Sequence, residues 1–257
     1  MHPTLLSLLN APANVTEFRG VQRVSETSHV AEEVGPVNAA EVALASTWSV
    51  SAAKRFLDIV TSVVALLLLS PFMLLLALMV GFTSKGPIFF AQRRVGSHGR
   101  LFTIFKFRTM EVAPAQQHGP AITVHGDRRI TTVGAVLRRY KLDELPQFYN
   151  VLQGDMSLVG PRPKLPHHEG MNMPFRPGLT GAATLAFRCE EQMLHAIPAH
   201  DLDLFYDRIV KPLKARIDSN YMERATLLSD LALMLNTAVA CLGLKADGDT
   251  FDLSESI

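Results

Sequence analysis

Cysteine is nearly absent from this chain: its 257 residues include 2, Cys189 and Cys241. So few thiols give no disulfide framework and suit a reducing compartment, and without a paired histidine spacing they argue against structural zinc. A bias of charge is missing too. Lys+Arg total 25 against 24 for Asp+Glu, which removes the global electrostatic argument for a nucleic-acid partner. No Lys or Arg precedes the apolar patch Leu5–Leu9, which is too short for the core of a secretory signal, so secretion is not expected. The last absence is local. From Ile59 to Phe82 no residue is charged, and with a mean hydropathy of +0.17 and 19% charged residues overall the composition points to a membrane.

Lys54-Arg55 opens this apolar segment, and Asp58 is its sole charge before Lys85. A straight helix over Ile59–Phe82 is long enough to cross a hydrocarbon core of about 30 Å, which takes about 20 residues. Two features favour a different path. Ser70-Pro71 lies near the midpoint, where proline removes a backbone hydrogen bond and clashes with the preceding turn. Basic residues also stand on both flanks, Lys54 and Arg55 before, Lys85, Arg93 and Arg94 after, so both ends read as cytoplasmic. A re-entrant helix that bends at Ser70-Pro71 and returns to the same side satisfies both observations. A spanning helix kinked at proline stays the alternative.

The rest of the chain reads as a small α+β unit. Residues 1–48 show no period, carry Pro3, Pro12 and Pro36, and form an expected disordered arm. Ile88–Phe90 reads as a strand, Gln92–Gly96 as a basic turn, and Phe102–Arg108 as a half-buried strand, for which the plainest alternative leaves Lys106 and Arg108 merely facing water. Thr132 is placed as the cap of a helix reaching about Lys141, with Val133, Val136, Leu137 and Tyr140 as its apolar stripe. Pro146 suits the first turn of a second helix that buries Leu145, Phe148, Val151 and Leu152 and stops at Gly154. Asp201–Tyr221 is amphipathic. Thr226–Leu244 is an apolar helix with one acid, Asp230, suited to a core or to a bilayer surface. The acidic tail from Lys245 is expected to fray.

Between the two middle helices stands Asp143-Glu144, beside Arg138, Arg139 and Lys141. Backbone N–H groups and arginines at a helix break favour anions, so both carboxylates should stay ionised, one as nucleophile or base and one as metal ligand. On pattern alone an adjacent acidic pair is ordinarily a solvated surface feature. Pro161 and Pro163 fix the backbone on either side of Arg162, which suits a bidentate phosphate contact, although a bare polyproline loop reads the same way. Arg176–Gly181 is a small-residue turn where backbone can approach a ligand. His167-His168-Glu169 matches no ligand spacing and is read as solvated loop.

These motifs together resemble the bacterial sugar transferases, the monotopic phosphoglycosyl transferases that load polyprenyl phosphate, in the small exopolysaccharide-type form. The likeness runs from about Lys54 to Leu244. It is carried by Lys54-Arg55-Phe56-Leu57-Asp58, Ser70-Pro71, Gln92–Gly96, Phe105–Met110, Asp127–Thr131, Leu142–Gln147, Gly154–Ser157 and Gly160–Pro163. The resemblance implies a mainly helical α+β fold: a re-entrant membrane helix over residues 54–84, a cytoplasmic catalytic domain over 85–244, and a flexible tail over 245–257. It implies transfer of a sugar 1-phosphate from a UDP-sugar to polyprenyl (undecaprenyl) phosphate, with UMP released, as the first membrane step of exopolysaccharide, capsule or O-antigen synthesis. Asp143 would be the nucleophile and Glu144 a ligand of Mg2+, with Lys106, Arg108, Arg138, Arg139, Arg162 with its flanking Pro161 and Pro163, and Arg176 as phosphate-binding candidates. The expected setting is the bacterial inner membrane, whose lipid is a partner, with the catalytic domain on the cytoplasmic face. A homodimer stays open. A departure is Ala182–Arg188, where many relatives place a Trp-Gln pair after the Gly-Leu-Thr-Gly turn; this leaves the sugar open. A non-catalytic scaffold of polysaccharide assembly and a glycosyltransferase releasing UDP are the rival functions.

Overall fold

In the computed structural model of this chain, the described residues are 45–111, 127, 129–166, 173–188, 190, 194, 197 and 201–243. The arm over residues 1–44, most of the loop around Pro114 to Gly126, His167-His168-Glu169 and the tail lie outside them.

Helix α1, Ala52–Thr83, is the apolar segment, and Ser51 caps it by accepting a hydrogen bond from the Lys54 amide at 3.0 Å. The chain stays helical through Ser70-Pro71. Proline leaves the carbonyl four residues back without its amide donor, and the Ser70 hydroxyl donates to that carbonyl, Leu67 O, at 2.9 Å. The Ser-Pro pair therefore modifies the helix without ending it. One stripe of α1 is buried: Lys54, Asp58 and Ser62 near its start, Leu76 and Val80 near its end. The remaining faces leave large apolar side chains exposed, among them Leu67, Leu68, Leu74 and Phe82.

The start of α1 is fixed by polar contacts. Lys54 pairs with Asp230, whose carboxylate also accepts from Trp48 Nε1 at 2.9 Å and Tyr221 OH at 2.7 Å. Arg55 donates to the carbonyls of Val151 (2.6 Å) and Leu152 (2.8 Å), and Asp58 accepts from Ser157 Oγ and the Leu158 amide. Trp48 and Ser46, whose amide bonds Met222 O, are thus part of the body, although the expected arm extended to residue 48. The end of α1 packs Leu76 and Val80 on Phe107 and Leu137.

Strands β1 (Phe89–Val95) and β2 (Leu101–Phe107) pair antiparallel in register from Phe89 with Phe107 to Val95 with Leu101. The basic run Gln92–Val95 is therefore strand; the turn is Gly96–Arg100, where His98 takes φ 54°. The consecutive arginines hide the two-residue alternation that β2 shows openly. Helix α2, Thr132–Arg139, is capped by Thr131, not Thr132, through Gly134 N at 2.9 Å. Of its expected stripe Leu137 is buried while Val136 and Tyr140 are exposed. Helix α3, Gln147–Gln153, stops at Gly154 with φ 95°, as anticipated. Strands β3 (Ser157–Val159) and β4 (Gly178–Thr180) pair in parallel. A Cβ on Gly178 would lie 2.2 Å from Gly160 N, so only glycine fits that crossing.

The C-terminal part consists of short α4 (Ala182–Ala186) and α5 (Leu202–Phe205), a wider π turn at Tyr206–Val210, then α6 (Lys211–Arg224) and α7 (Leu227–Cys241). The main core joins Phe102 and Ile104 of β2, Val151 of α3, Met156, Leu158, Ile217, Tyr221, Met222 and Leu233. Helix α7 divides the two roles open for it: Asp230 and Leu233 enter the body, while Leu228, Leu235 and Leu242 stay exposed. The fold is mixed α/β and mostly helical, with one helix long and apolar enough to reach through a membrane among the described residues.

Asn150 ties α3 to the edge of β2: it is fully buried, donates to Thr103 O at 2.7 Å and accepts from the Phe105 amide at 3.2 Å. Asn150→Ala orphans two buried backbone groups, so the unfolding free energy should fall by about 2–4 kcal/mol. Denaturant titration in detergent checks this; no shift in midpoint would contradict it.

Candidate active site

After α2 the chain turns on Lys141, a non-glycine residue in the left-handed region at φ 55°. A short 3-10 turn, Leu142–Glu144, follows, with Leu142 and Leu145 packed on the Phe107–Leu137 cluster. That packing turns Asp143 and Glu144 inward, so they keep only 7% and 8% exposure instead of lying on solvated surface.

Two cations from distant parts of the chain meet one oxygen of Glu144. Lys106 Nζ, from β2, lies 2.6 Å from Oε1, and Arg162 Nη2 lies 2.5 Å from the same atom. Arg162 stands between buried Pro161 and Pro163, whose carbonyls accept from Gly178 N at 2.8 Å and from Arg94 Nη1 at 3.0 Å. Burial pushes the Glu144 carboxyl up, but Arg162, Lys106 and Lys141 overcome it and hold Glu144 well below the usual carboxylate range. Asp143 goes the other way. Burial, reinforced by the charge of Glu144, pushes its pKa up against the opposing fields of Lys106, Lys141 and Arg138. Among the described residues its Oδ1 is buried without a hydrogen-bond partner, as is Nε2 of Gln147 one helical turn on. A buried carboxylate oxygen left unpaired costs roughly 1–3 kcal/mol, which a ligand atom can recover. The two carboxyls therefore differ: Glu144 is an ionised clamp between cations, and Asp143 is an unengaged oxygen beside it.

The structure sorts the other candidates. Arg138 acts on Asp143 through its field. Arg139 is exposed and lies over the Tyr140 ring at 5.6 Å. Arg108 faces neither water nor the site. It is buried, donating to Pro87 O (2.5 Å), Ser84 O (2.6 Å) and Ser84 Oγ (2.7 Å), because the alternation of β2 ends at Phe107 and the next side chain turns in to brace the end of α1. Arg176 is exposed and donates to Gly154 O at 2.7 Å, at the opposite end of α3 from Asp143. Neither Arg108 nor Arg176 reaches the acidic pair.

Three residues, Arg94, Lys214 and Tyr206, carry no site signal in the sequence. Arg94 is lowered to about 10 by burial and by Arg162, with Glu144 opposing. Lys214 pairs with Glu190 at 2.5 Å and lies over the rings of Phe187 (5.2 Å) and Tyr206 (5.5 Å). Tyr206 is pushed up to about 12 by burial and Glu190, and Arg162 feels both Glu190 and Asp143. Arg94 was visible within a basic run but read as turn; Tyr206 and Lys214 sit in an amphipathic stretch with no distinguishing pattern.

Among the described residues no three Asp, Glu, His or Cys side chains cluster as a metal cage. The pair itself still suits Mg2+, which takes one or two carboxylates and completes its shell with water and phosphate oxygens. The unpartnered Asp143 oxygen beside Glu144 fits that donor set.

A family model described as bacterial sugar transferase matches residues 49–243. A UDP-N-acetylgalactosamine-undecaprenyl-phosphate N-acetylgalactosaminephosphotransferase from Aeromonas hydrophila is 38% identical over 194 residues, covering 72% of this chain and 42% of that protein. A UDP-glucose:undecaprenyl-phosphate glucose-1-phosphate transferase from Xanthomonas campestris pv. campestris is 40% identical over 208 residues, covering 75% and 39%. The exopolysaccharide production protein ExoY of Rhizobium meliloti (strain 1021) is 34% identical, covering 74% and 86%. The chain thus spans well under half the length of the first two and most of the third.

Arg108→Leu should cost about 2–3 kcal/mol of stability, because it leaves the Ser84 and Pro87 carbonyls unpaired. In the folded fraction the KM for donor should stay within about twofold. Paired melting and kinetic measurements check this, and a large KM change with unchanged stability would return Arg108 to the site.

Proposed function

The chain belongs to the bacterial sugar transferase family, and from that premise we propose that it moves a sugar 1-phosphate from a UDP-sugar to polyprenyl phosphate. The carrying observation is the buried, unpartnered oxygen of Asp143 beside a Glu144 already neutralised by Lys106 and Arg162. In the first displacement the Asp143 carboxylate attacks the β-phosphorus of the donor. The bond to the bridging oxygen breaks, and UMP leaves with the electron pair. In the second, a phosphate oxygen of the polyprenyl acceptor attacks the same phosphorus and frees Asp143, giving polyprenyl diphosphate-sugar. A carboxylate nucleophile divides one hard phosphoryl transfer into two easier ones. Lys106 and Arg162 bind the diphosphate oxygens and stabilise the charge that develops there. Glu144 would hold Mg2+, which would neutralise charge on the diphosphate. The relatives' names carry glucose and N-acetylgalactosamine, so the donor class is a UDP-hexose or UDP-N-acetylhexosamine.

The anchor reading rests on where α1 is held. Its first turns bond to α3 and β3, and its last turns pack on β2 and α2, all parts of one body. A helix crossing a bilayer would have its ends on opposite sides. This supports a re-entrant α1 within residues 54–84, a catalytic unit over 85–244 on the cytoplasmic face of the inner membrane, and a role at the first membrane step of exopolysaccharide, capsule or O-antigen assembly.

Asp143→Asn should abolish turnover, with UMP the product of the parent enzyme and its formation dependent on polyprenyl phosphate in steady state. UDP as product would identify a sugar-only transferase, and no nucleotide release a scaffold. The pH dependence has a definite sign. The nucleophile must be ionised and its pKa is raised, so the acid limb of the rate should lie above the ordinary Asp value of 3.8. Glu144→Gln removes a charge that raises Asp143, so the residual activity should carry its acid limb to lower pH. An acid limb unmoved by that change would contradict the coupling. Single cysteines placed near Trp48 and near Lys85 should both label from the cytoplasmic side; periplasmic labelling of either would overturn the re-entrant reading.

A further inference from the structure

Helix α3 has the acidic pair at its N-terminal end and a cavity of about 310 Å³ at its C-terminal end. The two are separated by seven residues of helix, about 10 Å. Ser51, Arg55 and Asp58 from the foot of α1, Ser97 and His98 from the hairpin tip, and Arg176 line the cavity. Its charge is unbalanced. Arg55 donates to the carbonyls of Val151 and Leu152, and Arg176 to that of Gly154, so both guanidinium groups are held by neutral acceptors. They flank the same glycine: a Cβ on Gly154 would lie 3.3 Å from Arg55 Nη2. Among the described residues neither forms an ion pair. The one carboxylate of the lining, Asp58, is turned to Ser157 Oγ and the Leu158 amide, and Lys54, also on the wall, is committed to Asp230.

We propose that this cavity binds a phosphate-bearing group, with Arg55 and Arg176 as its cationic walls and the Ser51 and Ser97 hydroxyls and His98 imidazole as further donors. Two fixed guanidinium groups over one volume match the planar recognition of phosphate oxygens. The volume lies at the lower end of small-molecule sites and is ample for a headgroup phosphate. The cavity lies beside the foot of the apolar helix, where Phe56 and Val60 are 69% and 42% exposed. That position serves an anionic phospholipid headgroup or a soluble phosphate, and the chemistry is shared. The site is separate from the acidic pair and needs no step of the proposed reaction.

The test uses the full chain purified in detergent, with two probes. The first is phosphatidylglycerol carried from mixed micelles with phosphatidylcholine, counted per chain by native mass spectrometry. The second is inorganic phosphate, read as a rise in melting temperature. The parent protein should retain the anionic lipid, be stabilised by phosphate, or both. Arg176→Gln, an exposed position, should weaken the response about tenfold. Ser97→Asp, which puts a negative charge in the cavity, should do the same without touching α1. Asp143→Asn should leave it intact. Retention of lipid alone identifies a headgroup site, and stabilisation by phosphate alone a soluble anion site. No response to either probe, a response unchanged by both cavity variants, or one abolished by Asp143→Asn would overturn the proposal.

Discussion

Oxygen Oε1 of Glu144 receives both Lys106 and Arg162, and the arrangement of the catalytic side of this protein follows from that shared contact. Lys106 arrives on β2, Glu144 on a tight turn after α2, and Arg162 on a loop stiffened by two prolines. Burying two adjacent acids is unfavourable unless the charge is met. Here the compensation is uneven: Glu144 takes both cations, and Asp143 is left with a buried oxygen that no group among the described residues satisfies. That asymmetry divides a repulsive pair into a fixed clamp and an unengaged carboxyl. It also explains why their protonation preferences diverge although the residues are neighbours in the chain.

A second polar cluster performs the mechanical task. Asp230 enters an otherwise apolar helix because Lys54, Trp48 and Tyr221 all donate to it, and this joins the start of α1 to the C-terminal part of the domain. The end of α1 is held by apolar contacts of Leu76 and Val80 and by the brace of Arg108 on Ser84. The exposed apolar surface between these anchors is thus carried on a helix whose two ends have fixed positions relative to Asp143. Under the proposed reaction, lipid-borne and soluble substrates would meet at one carboxylate.

Much of this was legible in the residues. The long uncharged run, the Gly154 stop, the strand over Phe102–Phe107 and the proline bracket of Arg162 follow from local rules, and the structure carries them. Other features depend on distant partners. Nothing local distinguishes Arg108 from Lys106, yet one braces a helix end and the other meets Glu144, because the strand ends between them. The left-handed turn at Lys141 has no glycine or asparagine to announce it, and it is what buries the acidic pair. Lys214 and Tyr206 carry ordinary amphipathic signatures and reach the neighbourhood of Arg162 only through the packing of α6. Arg176 was placed by its Pro-Gly context near a ligand, but β4 carries it to the far end of α3.

The central claim is that Asp143 holds the phosphosugar covalently before the acceptor arrives. Rapid mixing of the protein with UDP-sugar and Mg2+, in the absence of polyprenyl phosphate, tests it most directly. The account predicts a burst of UMP approaching one equivalent per chain, which then stops until acceptor is added. If no UMP appears until polyprenyl phosphate is present, the transfer is a single displacement, and Asp143 is not its nucleophile.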